Sequence, residues 1–168
     1  MPLLYQTARE EARKLLEEYW DGQFPVRLGE FTEVLGADKF ESPIGGLSGL
    51  VTKAPGRRPR IVLNSAEPLA RRRFTWGHEL GHIVERRDIA RDDDYSFMDT
   101  RADEHYDLHE FFADEFSGAL LMPEAEIIRL RAEGKTRAQM ARTFEVSVSA
   151  VTTRLERLDK NPPVERVH

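Results

Sequence analysis

The sequence contains no cysteine. That excludes disulfides and thiolate metal sites, so any metal ion must be held by imidazole and carboxylate. Also missing are an apolar run of membrane-spanning length and a charged-then-apolar leader, since MPLLYQTARE turns polar within a few residues. A cytoplasmic protein with no membrane partner is expected. A surplus of positive charge is lacking too. The formal net charge of -5 speaks against nucleic acid as the main partner, because binding phosphates needs a positive surface, although a local basic patch stays open. No internal repeat is visible. What is present is 168 residues, 40% apolar and 33% charged, enough for one compact domain with a core and a small appendage.

The pattern along the chain is mainly helical. TAREEARKLLEEYW puts Ala8, Ala12, Leu15, Leu16 and Tyr19 on one helical face, ended by Asp21-Gly22. After Pro25 a shorter helix carries Leu28, Phe31, Val34 and Leu35 and stops at Gly36. Two extended runs, Leu50 to Lys53 and Arg60 to Asn64, flank Pro55-Gly56 and predict an antiparallel hairpin. A further helix is expected from a cap near Ser65, with Pro68 in its first turn, where a missing N–H costs little. The stretch from Arg86 to Asp107 is dense in Asp and Arg with little periodicity and reads as a surface loop, with room for a short helix. The fold class that follows is α+β, mainly helical with a small antiparallel sheet.

The chemistry sits in WGHELGH, residues 76 to 82. On a helix His78 and His82 stand four apart, so their rings leave the same face one turn from each other and can share one ion. Glu79 is rotated by about 100 degrees, beside the ion's open position rather than on it, where a carboxylate can take a proton from water. Gly77 and Gly81 weaken the helix by about 1 kcal/mol each, which implies a close neighbour. Catalytic sites use three protein ligands. A third histidine shortly downstream is excluded, because Glu85 and Asp88 occupy the positions where a glycine and a histidine are required.

The third ligand comes best from HEFFADEFSGALLMP, residues 109 to 123, a helix with Phe112, Phe116, Ala119 and Leu120 on one face and Pro123 at its end. Glu110 and Asp114 are four apart on it. Two acids on the buried side of an apolar helix are costly unless a cation meets them. Glu110 is assigned to the metal. Asp114 is assigned to the outer N–H of a ligand histidine, His78, fixing its tautomer.

RIVLNSAEPLARRRFTWGHELGH followed by EFFADEFSGALLMP resembles the ImmA/IrrE family of metallopeptidases over roughly Pro25 to Pro123. The resemblance implies His78, His82 and Glu110 as ligands of one zinc ion, with Mn2+ as a possible substitute, Glu79 as catalytic base and Asp114 as supporting acid of a gluzincin or minimal zincin-like core. It also implies an endopeptidase whose protein partner is a helix-turn-helix repressor, cut to release stress or mobile-element genes. Gly77 departs from the alanine frequent before the first histidine, and Asp114 from a frequent asparagine; neither removes a ligand. Tyr95, His105, Tyr106 and His109 lie between the ligand helices in sequence and are candidate donors to a developing oxyanion. The hairpin strand before the site offers an edge on which an extended substrate could add.

Beyond Pro123, Thr136 with Gln139 forms a capping box, Ser147 a second cap, and Val148, Val151, Leu155 and Leu158 share a face. The unit resembles a helix-turn-helix. Read so, Ser149, Thr152, Thr153 and Arg154 would meet DNA or substrate. Glu145 in the turn, Glu156 and the acidic balance argue against DNA, so packing on the core or gripping substrate is the preferred reading. The division expected is residues 1–130 as the zincin-like domain, 131–160 as the helix-turn-helix-like unit and 161–168 as a disordered tail. The competing function is a non-catalytic regulator that binds DNA or a partner protein and uses its metal only for structure.

Overall fold

The computed structural model describes residues 1–100 and 106–164. Helix α1 (Leu4–Tyr19) buries Ala8 and Ala12, the small residues of the expected face, against helix α4 (Leu108–Leu121). Helix α2 (Leu28–Val34) ends before Gly36, whose φ of +70° supplies the left-handed stop that glycine adopts without strain.

Four strands follow the order β1-β3-β2-β4, with β1 (Asp38–Ser42), β2 (Leu47–Lys53), β3 (Arg60–Asn64) and β4 (Tyr95–Thr100). The expected hairpin is β2 with β3, antiparallel and turned near Gly56. The sheet is nevertheless mixed rather than antiparallel, because β1 pairs parallel to β3. It is also larger than expected. β1 is a largely exposed edge strand with little apolar signal, and β4 lies inside the Asp-rich segment read as a loop. In β4 the period of two is intact: Tyr95, Phe97 and Asp99 are half-buried while Ser96, Met98 and Thr100 are exposed. Charge density hid the alternation.

Helix α3 (Leu69–Val84) begins three residues later than the Ser65 cap would require. Pro68 holds the capping position, and the Ser65 N–H is bonded to the Ser42 carbonyl across the sheet instead. A wide, π-helical turn, Glu85–Ala90, continues α3 and ends at left-handed Arg91. The core lies between the sheet and the helices: Val51, Ile61 and Leu63 from the sheet, Leu80, Ile83 and Val84 from α3, and Phe112, Phe116 and Leu120 from α4 are all buried. At about 1.5–3 kcal/mol for each large apolar side chain, this layer supplies the main driving force for holding α3 and α4 together.

Helix α5 (Glu124–Ala132) was not expected; Pro123 ends α4 and also caps α5, since proline fits a helix start as well as a stop. Helices α6 (Arg137–Phe144) and α7 (Val148–Lys160) match expectation, with the Thr136–Gln139 capping box and the Ser147 cap both formed. Glu145 turns between them at a φ of 51°. Among the described residues no helix is long and apolar enough to cross a membrane.

Candidate metal centre

Two bare glycines decide how closely α3 and α4 cross. A Cβ on Gly81 would stand 2.9 Å from Ala113 Cα, and one on Gly77 would stand 3.2 Å from Ser117 Cβ. The helices approach on those faces, and Glu110, in the first turn of α4, reaches both imidazoles of α3. Asp107 fixes that turn by accepting the Glu110 N–H at 3.0 Å.

Donor atoms of three residues converge, two imidazole nitrogens and the two oxygens of one carboxylate. His78 Nε2 lies 2.9 Å from Glu110 Oε2, His82 Nε2 lies 3.1 Å from Glu110 Oε1, and the two Nε2 atoms are 3.1 Å apart. Around zinc, with metal–nitrogen bonds of about 2.0–2.1 Å, the edges of a ligand tetrahedron measure about 3.3 Å. The triangle is close to one face of such a tetrahedron, so the residues present fit a divalent ion. His78 and His82 are buried, and Asp114 Oδ1 accepts His78 Nδ1–H at 2.7 Å. That leaves His78 Nε2 for the ion. The His82 ring is stacked on Phe97 of β4, centroids 4.1 Å apart at 4°, which fixes its plane from the sheet side.

Glu79 is fully buried, and neither of its carboxylate oxygens has a hydrogen-bond partner. Burial pushes its carboxyl well above the ordinary range, helped by Asp99, Glu110 and Asp114 against the opposing pull of His78. For His82 burial dominates as well, bringing the imidazole down to about 4 despite Glu110, so it stands neutral and ready to ligate at pH 7. His78 behaves oppositely. Burial alone would lower it, but bonds to Asp114 and Glu110 outweigh that and raise it well above the usual value. Glu110 is buried enough to be raised, yet the two imidazoles hold it well below the carboxylate range. A positive charge is therefore already favoured at the centre of the triangle.

The remaining expected residues divide by place. Tyr106 lines a cleft of about 360 Å³ together with His78, Glu110, Asp114 and Asp99. Tyr95 and His109 do not line it. Tyr95 sits at the start of β4 with a buried, unpartnered hydroxyl, and His109 is bonded to Glu85 at 2.5 Å and to Arg86. His105 lies outside the described residues. Ser149 and Thr153 of α7 line the same cleft, while the Thr152 hydroxyl accepts from Arg137 at 3.1 Å. Arg154 is buried, donates to the Met122 carbonyl at 3.3 Å and stands 3.9 Å from Glu115. It is also part of the cleft lining, beside Ser149 and Thr153.

Three residues of the site were not found in the sequence: Gly49, Phe97 and Asp99. The alternation in YSFMDT was the signal for the last two. Burial raises the Asp99 carboxyl to about 6.

A peptidase family model described as the IrrE N-terminal-like domain matches residues 32–156. Among solved structures, a Mycobacterium tuberculosis transcriptional regulator is similar in fold, with a TM-score of 0.59 and 16% identity. The match covers 96% of this chain and 54% of that one, so the chain spans about half the regulator's length. No curated protein matches the chain.

Proposed function

The chain belongs to the IrrE N-terminal-like peptidase family, and from that premise we propose that it is a zinc-dependent endopeptidase of the cytoplasm that cleaves a helix-turn-helix repressor and so relieves repression. Residues 1–130 form its zincin-like domain and 131–160 a helix-turn-helix-like unit. The observation that carries the reading is the triangle of His78, His82 and Glu110 with a buried, unpartnered Glu79 beside it. A purely structural metal site needs no carboxylate in that place.

His78, His82 and Glu110 hold the ion. When bound, zinc supplies Lewis acidity: it lowers the pKa of a water at its open position toward neutrality and polarises a peptide carbonyl. Glu79 takes the proton of that water. The carboxylic acid so formed then returns the proton to the leaving nitrogen. Asp114 positions His78 by holding Nδ1–H, and Phe97 positions His82 by stacking. Of the expected oxyanion donors among the described residues, Tyr106 lines the cleft, which supports that role; its hydroxyl accepts from Arg157 at 3.0 Å and is also within hydrogen-bonding reach of Asp114. The hairpin strand before the site, β3, lies between β1 and β2 and leaves no free edge, so an extended substrate segment adds instead to β4, the edge strand that carries Phe97 and Asp99.

The test is incubation of the zinc-loaded protein with helix-turn-helix repressors encoded nearby, beside a Glu79→Gln variant. Cleavage by the unmodified protein alone is expected. Equal cleavage by both proteins, or by neither, supports the regulator with a structural metal instead.

A further inference from the structure

We propose that Glu79 and Asp99 form a second divalent-cation position, built from carboxylate oxygens, directly beside the His78–His82–Glu110 set. Its binding is independent of the peptidase reading; its effect on catalysis rests on that reading.

His78, Glu79 and Asp99 each offer a donor atom, and the three lie within 4.8 Å of one another. The two ligand sets overlap at His78. Both oxygens of the fully buried Glu79 lack a hydrogen-bond partner, and among the described residues the Asp99 carboxylate makes no hydrogen bond or ion pair. Two carboxylates held together, one of them fully buried and the other at the cleft wall, repel each other, and the buried one loses hydration. A divalent cation removes both costs.

The backbone around the pair makes the room. Gly49 of β2 pairs with Asp99 of β4 beside a register shift between Leu47 and Gly49, the kind of irregularity that re-aims a side chain. A Cβ on Gly49 would come 2.6 Å from Thr75 Cγ2 and 3.1 Å from Glu79 Oε1. The absence of a side chain at that position leaves the wall behind Glu79 open and lets its carboxylate lie against β2, on the side from which Asp99 enters.

Asp114 occupies His78 Nδ1, so one nitrogen, Nε2, serves both sets. Once the first set is filled, the second is left with carboxylates and water. Such a site favours oxygen-seeking ions such as Mn2+ and takes Zn2+ only in excess. A cation there engages the oxygens with which Glu79 would accept a proton, so a peptidase loaded twice is inhibited.

The experiment titrates Zn2+ and Mn2+ into the metal-free full chain and counts bound ions by native mass spectrometry and calorimetry. Two cations per chain are expected, the second weaker by about tenfold or more for want of an imidazole ligand. Asp99→Asn and Glu79→Gln, each checked for an unchanged circular dichroism spectrum, remove the second and keep the first, whereas His82→Ala removes the first. One cation per chain at millimolar Mn2+, or a second cation surviving both carboxylate variants, overturns the proposal and leaves the peptidase reading standing. Failure to bind any cation overturns both.

Discussion

Gly81 of α3 and Ala113 of α4 meet so closely that a Cβ on the glycine would stand 2.9 Å from the Ala113 Cα and 3.1 Å from its carbonyl oxygen. The obstacle is backbone, which cannot step aside. Adding the methyl therefore forces apart the two helices that supply His82 and Glu110, the next residue after Gly81 and a residue one turn before Ala113.

Gly81→Ala is expected to destabilise the fold despite the better helix propensity of alanine. Overpacking costs about 1–3 kcal/mol, and the propensity gain returns up to about 1 kcal/mol. A net loss of about 1–2 kcal/mol in denaturant unfolding, accompanied by weaker zinc binding, is the expected result. Unchanged stability with unchanged zinc affinity would mean that the crossing is looser than described.

The two glycines show what was legible in the sequence and what was not. Spacing alone placed His78, Glu79 and His82 on one helix, and the pairing of Glu110 with Asp114 placed the two acids on one face of the second. Gly77 and Gly81 signalled a close neighbour without naming it, because the partner, α4, lies more than thirty residues away in the chain. Helix boundaries in the C-terminal part followed from side-chain caps at Thr136 and Ser147, which act locally. The failures share a cause. β1 and β4 are edge strands, β1 mostly exposed and β4 exposed at every second residue, so neither carries the apolar run that marks a central strand. The burial of Arg154 was not legible either: it depends on Glu115 and Met122, which periodicity within α7 does not reveal.

Removing the ion, or the residue that orients its ligand, gives a second expectation. Asp114 accepts His78 Nδ1–H at 2.7 Å, so Asp114→Ala frees the ring and its tautomer. Zinc affinity should fall by about 10–100-fold, read by competition with a chromophoric chelator. Asp114→Asn keeps an acceptor oxygen and should remain within a few-fold of the unmodified protein. Chelator-stripped protein should melt earlier than zinc-loaded protein. Zinc at a hundred times its dissociation constant adds about 2.7 kcal/mol of stability. If stripping left the melting temperature unchanged in both the unmodified protein and Asp114→Ala, the converged triangle would not be a metal site.

A third expectation concerns what fixes the C-terminal helices to the core. Glu115, one residue after Asp114, is buried and stands 2.7 Å from Arg9 of α1, 3.1 Å from Arg157 and 3.9 Å from Arg154, both of α7. Arg9 also donates to the Asn161 carbonyl at 2.6 Å, so arginines tie α1, α4 and α7 together, and Arg73 of α3 separately donates to the Phe144 and Glu145 carbonyls at the end of α6. Glu115→Gln keeps the shape and removes the carboxylate nearest the buried Arg154, leaving that guanidinium with the Met122 carbonyl and the charge of Glu124. Breaking a buried pair in this way costs about 3–5 kcal/mol, and partial exposure of Arg157 places the expected loss near the lower end. Because Arg157 also donates to Tyr106 in the cleft, the variant should lower kcat more than it raises KM, at a temperature where it remains folded. A loss of stability with an unaltered kcat would show that the arginine cluster serves the fold alone.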